Sequence, residues 1–314
     1  MWGRWLRDGH DHRASLVDGM FDFEKGSIKF IRGEGYPHCH TVFVDAERRT
    51  LIDAASRETI LKAIHQERPI QILLVSHGHE DHMIYNYHFP EAEVWVPEAD
   101  APVFQDIDHL IDCYSPESED QRKQWREVLI KMCHYEVRKP DRLLRDGDTL
   151  EFGGTHCRVI HTPGHTPGHC AFHFLEEQVL FLGDLDLTKA GPYYGDVEGG
   201  LEQTIESLHR LAAIPVETYL TAHGKGIFDG DPNHILRYMK IIESREEKLL
   251  DLLSSGSKSL DQITQAGIIY GPPKIIAGCW DLSLSEKAMM KKHLQFLHQQ
   301  GKVTFEEGLF HLRS

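Results

Sequence analysis

Apolar residues in the first two-thirds of the chain come in short runs, separated by Gly, Pro and Asp turns. "HTVFVDAERRTLIDA" (40 to 54) predicts two strands joined by a charged turn. "SRETILKAIHQE" (56 to 67) has helical spacing through Ile60, Leu61 and Ile64. "IQILLV" and "EVWVP" predict strands, the first buried on both faces because it lacks alternation. Residues 118 to 135 predict a polar-rich helix whose apolar stripe is Trp125, Val128, Leu129 and Met132. "DTLEFGGTHCRVIHT" (148 to 162) predicts a hairpin turning at Gly153-Gly154, and "QVLFLGD" another buried strand. An amphipathic helix through Ile205, Leu208 and Leu211 and a last strand, "TYLTAHG", follow. Strands and helices mixed in this way imply α/β sheets covered by helices.

The texture changes near residue 230, which divides the chain into 1–230 and 231–314. "DPNHILRYMKIIESREEKLLDLLSS" predicts a long helix with Asp231 as N-cap and Pro in its first turn. "SLDQITQAG" predicts a short helix. "SLSEKAMMKKHLQFLHQQGK" predicts a third, capped by Ser283 or Ser285 and ended by Gly301. "KVTFEEGLFHL" reads as a hairpin around Glu307-Gly308. Helix, helix, helix, hairpin is the order of a winged helix.

Composition narrows the function. The net charge of -15 argues against a general coat for nucleic acid or anionic membrane. Residues 246 to 314 carry eight Lys/Arg and eight Asp/Glu, so the acidity lies in the remainder. No run reaches 18 apolar residues, so no membrane span is expected. The start, "MWGRWLRDGHDHRASL", lacks a signal-peptide core. Cys39, Cys113, Cys133, Cys157, Cys170 and Cys279 have no CxxC spacing and are expected to be free thiols in the cytoplasm.

Histidine is the outlier, with 22 residues. Four apolar, strand-like runs lead into polar segments: "ILLV" into "SHGHEDH", "CRVIHT" into "PGHTPGH", "VLFLG" into "DLD", and "TYLTA" into "HG". Strand ends lie side by side in a sheet, so these segments are expected to meet. They supply His77, His79, Asp81, His82, His165, Asp184 and His223. Imidazole and carboxylate suit zinc, iron and manganese. Seven such groups exceed one tetrahedral ion, and a bridging aspartate would serve two. His10, His12, His38, His40, His65, His88, His109, His134 and His156 are expected to be ordinary hydrogen-bonded residues.

"HGHEDH", "TPGHTPGH", "GDLD" and "AHG" resemble, in order, the metal motifs of the metallo-β-lactamase-fold hydrolases over residues 25 to 228. The resemblance implies an αββα sandwich with the metal site at one edge. It implies that His77, His79 and His165 hold one metal, that Asp81, His82 and His223 hold the other, and that Asp184 bridges. "HTPGHTPGH" is more similar to the glyoxalase II and ribonuclease-like branches than to antibiotic-degrading enzymes. The tail is similar to the winged-helix appendage of the β-lactamase-like protein 2 group. Two segments depart from the pattern. "HMIYNYHF" replaces the usual pair of glycines, and "HCHT" (38 to 41) replaces an Asn-Thr pair. Both are expected to border the site. His79 stands where flavodiiron-type oxidoreductases have Glu.

Two divalent ions, zinc first and iron or manganese next, would lower the pKa of a shared water and polarise a substrate oxygen. Asp81 would orient the nucleophile or take its proton. Tyr193, Tyr194 and Lys189, just after the bridging aspartate, are expected to face substrate. Three functions follow: a dinuclear hydrolase of a small ester, thioester or lactone; a nuclease guided by the winged helix; and an iron-dependent sulfur dioxygenase or non-hydrolytic metal protein. The complete ligand set favours an enzyme, and the acidity of residues 1–230 favours a small molecule over nucleic acid as partner.

Overall fold

The computed structural model describes residues 19–272, 275–276 and 280–313. Cys279 and the chain start therefore lie outside the described residues.

The first sheet runs in chain order. Its strands are β1 (Phe23–Lys25), β2 (Ile28–Ile31), β3 (Thr41–Val44), β4 (Thr50–Ile52), β5 (Ile72–Leu74), β6 (Glu93–Pro97) and β7 (Arg142–Leu144). The pairs from β1 to β4 are antiparallel, and those from β4 to β7 are parallel. Parallel neighbours need crossovers, which α1 (Glu58–Glu67), α2 (Ile107–Cys113) and α3 (Glu119–Lys131) help to provide. The second sheet comprises β8 (Thr149–Glu151), β9 (His156–His161), β10 (Cys170–Phe174), β11 (Val179–Phe181), β12 (Thr218–Leu220) and β13 (Ile227–Asp229). Helix α4 (Leu201–Ala212) supplies the crossover between the parallel pair β11 and β12.

Alternation along the second sheet explains the layering. Cys157, Val159, Phe172, Phe174, Val179 and Phe181 face the first sheet and share its core. Their neighbours Ile160, Ala171, Leu180 and Tyr219 face the other way, onto Leu208 and Leu211 of α4. The result is helix, sheet, sheet, helix, as the family resemblance implies.

The tail contains α5 (Asn233–Ser254), α6 (Leu260–Ala266), a short pair β14 (Ile275–Ile276) and β15 (Trp280–Asp281), α7 (Leu282–Gln299), and the hairpin of β16 (Val303–Glu306) and β17 (Leu309–Leu312). Both hairpin turn residues, Glu307 and Gly308, have positive φ, as a two-residue turn of matching twist requires. Helix α5 serves two cores. Ile235, Tyr238 and Ile242 pack on the outer face of the second sheet. Leu249 and Leu253 join Ile263, Leu294, Leu297 and Val303 in a separate cluster.

Several elements differ from expectation. Neither Ser283 nor Ser285 caps α7; the Asp281 carboxylate does, accepting from the Ser283 N–H at 2.9 Å. Strands β1, β2, β7, β10 and β13 and helix α2 were not predicted. Each has only three to seven residues, too few for periodicity to show. No helix among the described residues is long and apolar enough to cross a membrane.

Candidate metal centre

The site lies where β4, β5, β11 and β12 end and β9 turns into β10. Hydrogen bonds between the sheets close this edge. The Cys170 N–H donates to Ser76 O at 2.9 Å, and the His40 N–H donates to Ala222 O at 2.7 Å. The loop after β5 closes as a single 3-10 turn, Glu80–His82, which points Asp81 and His82 back over the strand end.

The seven predicted residues meet here in two groups. His77, His79, His165 and Asp184 form one, and Asp81, His82 and His223 the other; within each, one ligand-type atom per residue lies within 4.8 Å of the rest. In the first group, His79 Nδ1 is 3.0 Å from both His77 Nε2 and His165 Nε2. Asp184 Oδ2 is 3.3 Å from His165 Nε2 and 3.8 Å from His77 Nε2. In the second, His223 Nε2 is 3.2 Å from Asp81 Oδ2, and His82 Nε2 is 3.6 Å from Asp81 Oδ1. Asp184 Oδ1 completes it, 3.0 Å from His82 Nε2 and 3.4 Å from His223 Nε2. One carboxylate thus gives one oxygen to each group. Ligands bound at ~2.0–2.1 Å to one tetrahedral ion lie roughly 3.3 Å apart, so these spacings fit a cation in each group.

Unmet valence points the same way. His82 Nε2 and Asp184 Oδ1 are buried, and neither has a hydrogen-bond partner despite their proximity. Such groups are costly unless something collects them.

The far side of four of the five histidines is fixed by a partner, as ligand imidazoles require. Asp53, at the end of β4, accepts from the Ser76 N–H and hydroxyl at 2.7 Å each. Its Oδ2 is also 2.9 Å from His82 Nδ1. The Ser76 oxygen in turn meets His77 Nδ1 at 3.0 Å, so Asp53 orients a histidine of each group. Asp196 Oδ2 meets His79 Nε2 at 3.0 Å, and Tyr193 O meets His165 Nδ1 at 3.1 Å. The Asp184 N–H donates to His169 Nε2 at 3.1 Å, which leaves the His169 proton on Nδ1, 2.8 Å from Thr162 Oγ1. Asp100 ties the two histidine loops together, accepting from the Gly78 and Gly168 N–H groups at 2.8 and 2.6 Å and from the Thr166 hydroxyl at 2.7 Å.

Residues 35–223 match the family model of the metallo-beta-lactamase superfamily. The chain belongs to this superfamily. Relatives include a hydroxyacylglutathione hydrolase of Hyphomonas neptunium, 42% identical over 81 residues, which are 26% of this chain and 30% of that protein. The acyl-coenzyme A thioesterase MBLAC2 of Gallus gallus is 33% identical over 120 residues, 38% of this chain and 42% of its own. These matches span less than half of either relative. A beta-lactamase domain protein from Burkholderia ambifaria has the same fold, with a TM-score of 0.73 at 19% identity over 92% of this chain and 93% of that one.

In this superfamily member the protonation pattern is mixed: burial pushes His77 well below its usual value, whereas three other histidines are raised. Burial opposes the charged form of His82, yet Cys39 and the carboxylates of Asp184, Asp53 and Asp81 raise its pKa well above the usual value. Burial likewise opposes charge on His223, and Asp184 and Asp186 outweigh it. His79 rises to about 9: burial works against it, and Asp196 dominates. Burial would raise Asp184, but His82, His223 and His77 hold it well below the carboxylate range. Cys39 adjoins this cluster, but burial pushes its thiol up to about 11, so it is a neutral wall.

A cavity of about 230 Å³ opens onto the site, lined by Asp81, Asp184 and His223 together with Tyr36, Glu80, Tyr114, Tyr193 and Tyr270. Glu80 is buried beneath two phenols: the Tyr36 hydroxyl donates to Oε1 at 3.2 Å, and the Tyr114 hydroxyl to Oε2. Of the three residues expected to face substrate, only Tyr193 lines this cavity. Tyr194 is fully buried and turned to the tail, its hydroxyl 2.6 Å from His293 Nε2. Lys189 is exposed and does not line the cavity. Consecutive residues of an extended segment point to opposite sides, so Tyr193 and Tyr194 do not share a face.

The departing segments behave differently from each other. His40 braces the His223 loop, accepting from the Gly33 N–H at 2.9 Å and lying 3.3 Å from Gly224 O. Met83, Ile84 and Tyr85 fill the core. Other histidines have ordinary partners: His88 meets Glu58, and His156 meets Glu176, each at 2.7 Å.

Proposed function

We propose that the chain is a dinuclear metal-dependent hydrolase of small acyl thioesters, with simple esters and lactones as the nearest alternatives. The observation that carries the reading is Asp184, whose two oxygens address separate histidine groups. The relatives' names, a hydroxyacylglutathione hydrolase and an acyl-coenzyme A thioesterase, support the thioester class. Zinc is the proposed metal because the donors are imidazole and carboxylate at tetrahedral spacing; iron and manganese accept the same donors.

His77, His79, His165 and Asp184 would hold one ion, and Asp81, His82, His223 and Asp184 the other. Such a pair would lower the pKa of a bound water and polarise the substrate carbonyl. The protein does the rest. Asp81 sits at the cavity wall beside His223, placed to accept the proton of the attacking water. Tyr36, Tyr114, Tyr193 and Tyr270 line the cavity with aromatic rings that would seat the acyl group. A thiol leaving group ionises near ~8.5, so it departs as thiolate without a dedicated acid.

Two lysines on the basic side of α7 are already engaged, which supports a small substrate over nucleic acid. Lys287 is engaged by Glu117 at 2.8 Å and Asp261 at 3.3 Å. Lys292 is spent on backbone carbonyls, Asp196 O among them at 2.5 Å. A phosphate-binding face needs unpaired cations. On this reading residues 231–314 are a winged-helix-like unit that walls the cavity. Among the described residues Cys39, Cys113, Cys133, Cys157 and Cys170 form no disulfide, which supports a reducing compartment such as the cytoplasm.

The test is a substrate panel on zinc-reconstituted chain: S-acyl thioesters, lactones, a phosphodiester and RNA. The expected result is turnover of thioesters well above the others. Cleavage of RNA or the phosphodiester with inert thioesters would reject the proposal in favour of a nuclease.

A further inference from the structure

The segment from residue 189 to 200 separates the metal centre from the tail and touches both. On one side it orients two histidines: Asp196 meets His79 Nε2, and the Tyr193 carbonyl meets His165 Nδ1. It also bonds back to the His165 loop, since the Gly200 N–H donates to Gly164 O at 2.9 Å. Yet the segment has no regular secondary structure between β11 and α4. Such a stretch does not hold a carboxylate on an imidazole by itself.

Its other side is held by three side chains of the tail. Arg245 of α5 is buried and donates to Ala190 O at 2.5 Å, to Pro192 O at 2.7 Å and to the Tyr194 hydroxyl at 2.8 Å. Lys292 of α7 donates to Asp196 O at 2.5 Å and to Gly199 O. Ser285 of α7 is hydrogen-bonded to the Tyr193 side chain. The approach is close: a Cβ on Gly191 would sit 2.5 Å from Ile241 Cγ2 and 2.8 Å from Arg245 Nη2. A buried guanidinium and a half-buried ammonium have been taken out of water to grip main-chain carbonyls, and a cation left without these acceptors would be costly.

We infer that Arg245 and Lys292 are positioning residues of the metal centre: they clamp residues 189–200, and through Asp196 and the Tyr193 carbonyl they fix the rings of His79 and His165. The tail is then a structural part of the hydrolytic site. This rests on the metal-ligand roles proposed above for His79 and His165. Lys292 is the more direct of the two, since it holds the main chain of Asp196 itself. Its effect is confined to the group of His77, His79 and His165, because His82 is oriented from β4 by Asp53.

The test is equilibrium cobalt titration of full-length, chelator-stripped chain, followed by the visible absorption of the bound ion. Wild type is expected to take up two ions; saturation at one would reject the underlying dinuclear reading, whatever the variants do. Lys292→Met is expected to weaken one of the two ions by roughly 10- to 100-fold and to leave the other unchanged, with Lys292→Arg restoring most of the loss. Asp196→Asn is expected to weaken the same ion, and adding Lys292→Met to it to do little more, because both act on one imidazole. Lys287→Met removes a lysine from the same helix that touches Glu117 and Asp261 instead, and it is expected to change neither ion. Wild-type binding of both ions by Lys292→Met, equal losses in Lys292→Met and Lys287→Met, or additive losses in the double variant would each overturn the inference. Should Lys292→Met fail to fold, Lys292→Gln takes its place with the same criteria.

Discussion

Asp184 and Asp53 act on both halves of the site, one from inside and one from outside. Asp184→Asn keeps the shape of the bridging side chain but removes its charge. We expect the variant to bind at most one ion tightly and to lose at least about 100-fold in kcat/KM; tight binding of two ions would contradict the bridging role. Asp53→Ala leaves the Ser76 N–H and His82 Nδ1 without their acceptor. It should cost ~1–3 kcal/mol in denaturant unfolding and weaken both ions, whereas a loss confined to one would refute the shared-anchor account. Glu80 makes no contact of this kind. Glu80→Gln should keep both ions and change KM for acyl substrates, because it alters the floor of the cavity beneath Tyr36 and Tyr114. The ligand residues were readable in the sequence because they cluster in "SHGHEDH" and "PGHTPGH". Asp53, Asp196 and His169 were not. Asp53 looks like the end of a strand, Asp196 like a turn residue, and His169 like a repeat of His165. Each acquires its role from a neighbour far away in sequence, and only the fold supplies that neighbour.

At the scale of elements, close approach between loops replaces regular structure at the site. A Cβ on Gly168 would lie 2.5 Å from Asp100 Cγ. Gly168→Ala must therefore push Asp100 off the loops it joins. We expect ~1–3 kcal/mol of destabilisation and a lower Tm in the metal-free chain; an unchanged Tm would mean that Asp100 does not join the loops as described. The sequence was most legible where an element was long or its face one-sided. Helices α3, α4, α5 and α7 and strands β5 and β11 followed from periodicity and burial. Helix α7 begins at Asp281 because a carboxylate there reaches the Ser283 N–H, a choice among nearby capping residues that patterning does not make. Likewise, nothing in "GPYYGD" indicates which tyrosine faces the cavity; the clamp on the tail decides it.

For the whole molecule, the electrostatics have a measurable consequence. With no cation bound, His82, His223 and His79 have raised pKa values, the last to about 9. Below these values the histidines hold protons that a cation must displace. Metal affinity should therefore increase as pH rises through neutrality towards 9 and fall on acidification, with protons released on binding. Calorimetric metal titrations at pH 7 in buffers of different ionisation enthalpy should give different apparent enthalpies; identical values would show that no proton is released.

On the proposed reading two ions, held by seven side chains from both sheets, make one hydrolytic site. The most direct test is to strip the chain with chelator, restore zinc in steps and follow hydrolysis of an S-acyl thioester against ions bound. Negligible turnover is expected in the stripped chain, with a maximum that needs about two zinc ions per chain. Full turnover at one ion, or turnover that survives complete metal removal, would contradict it.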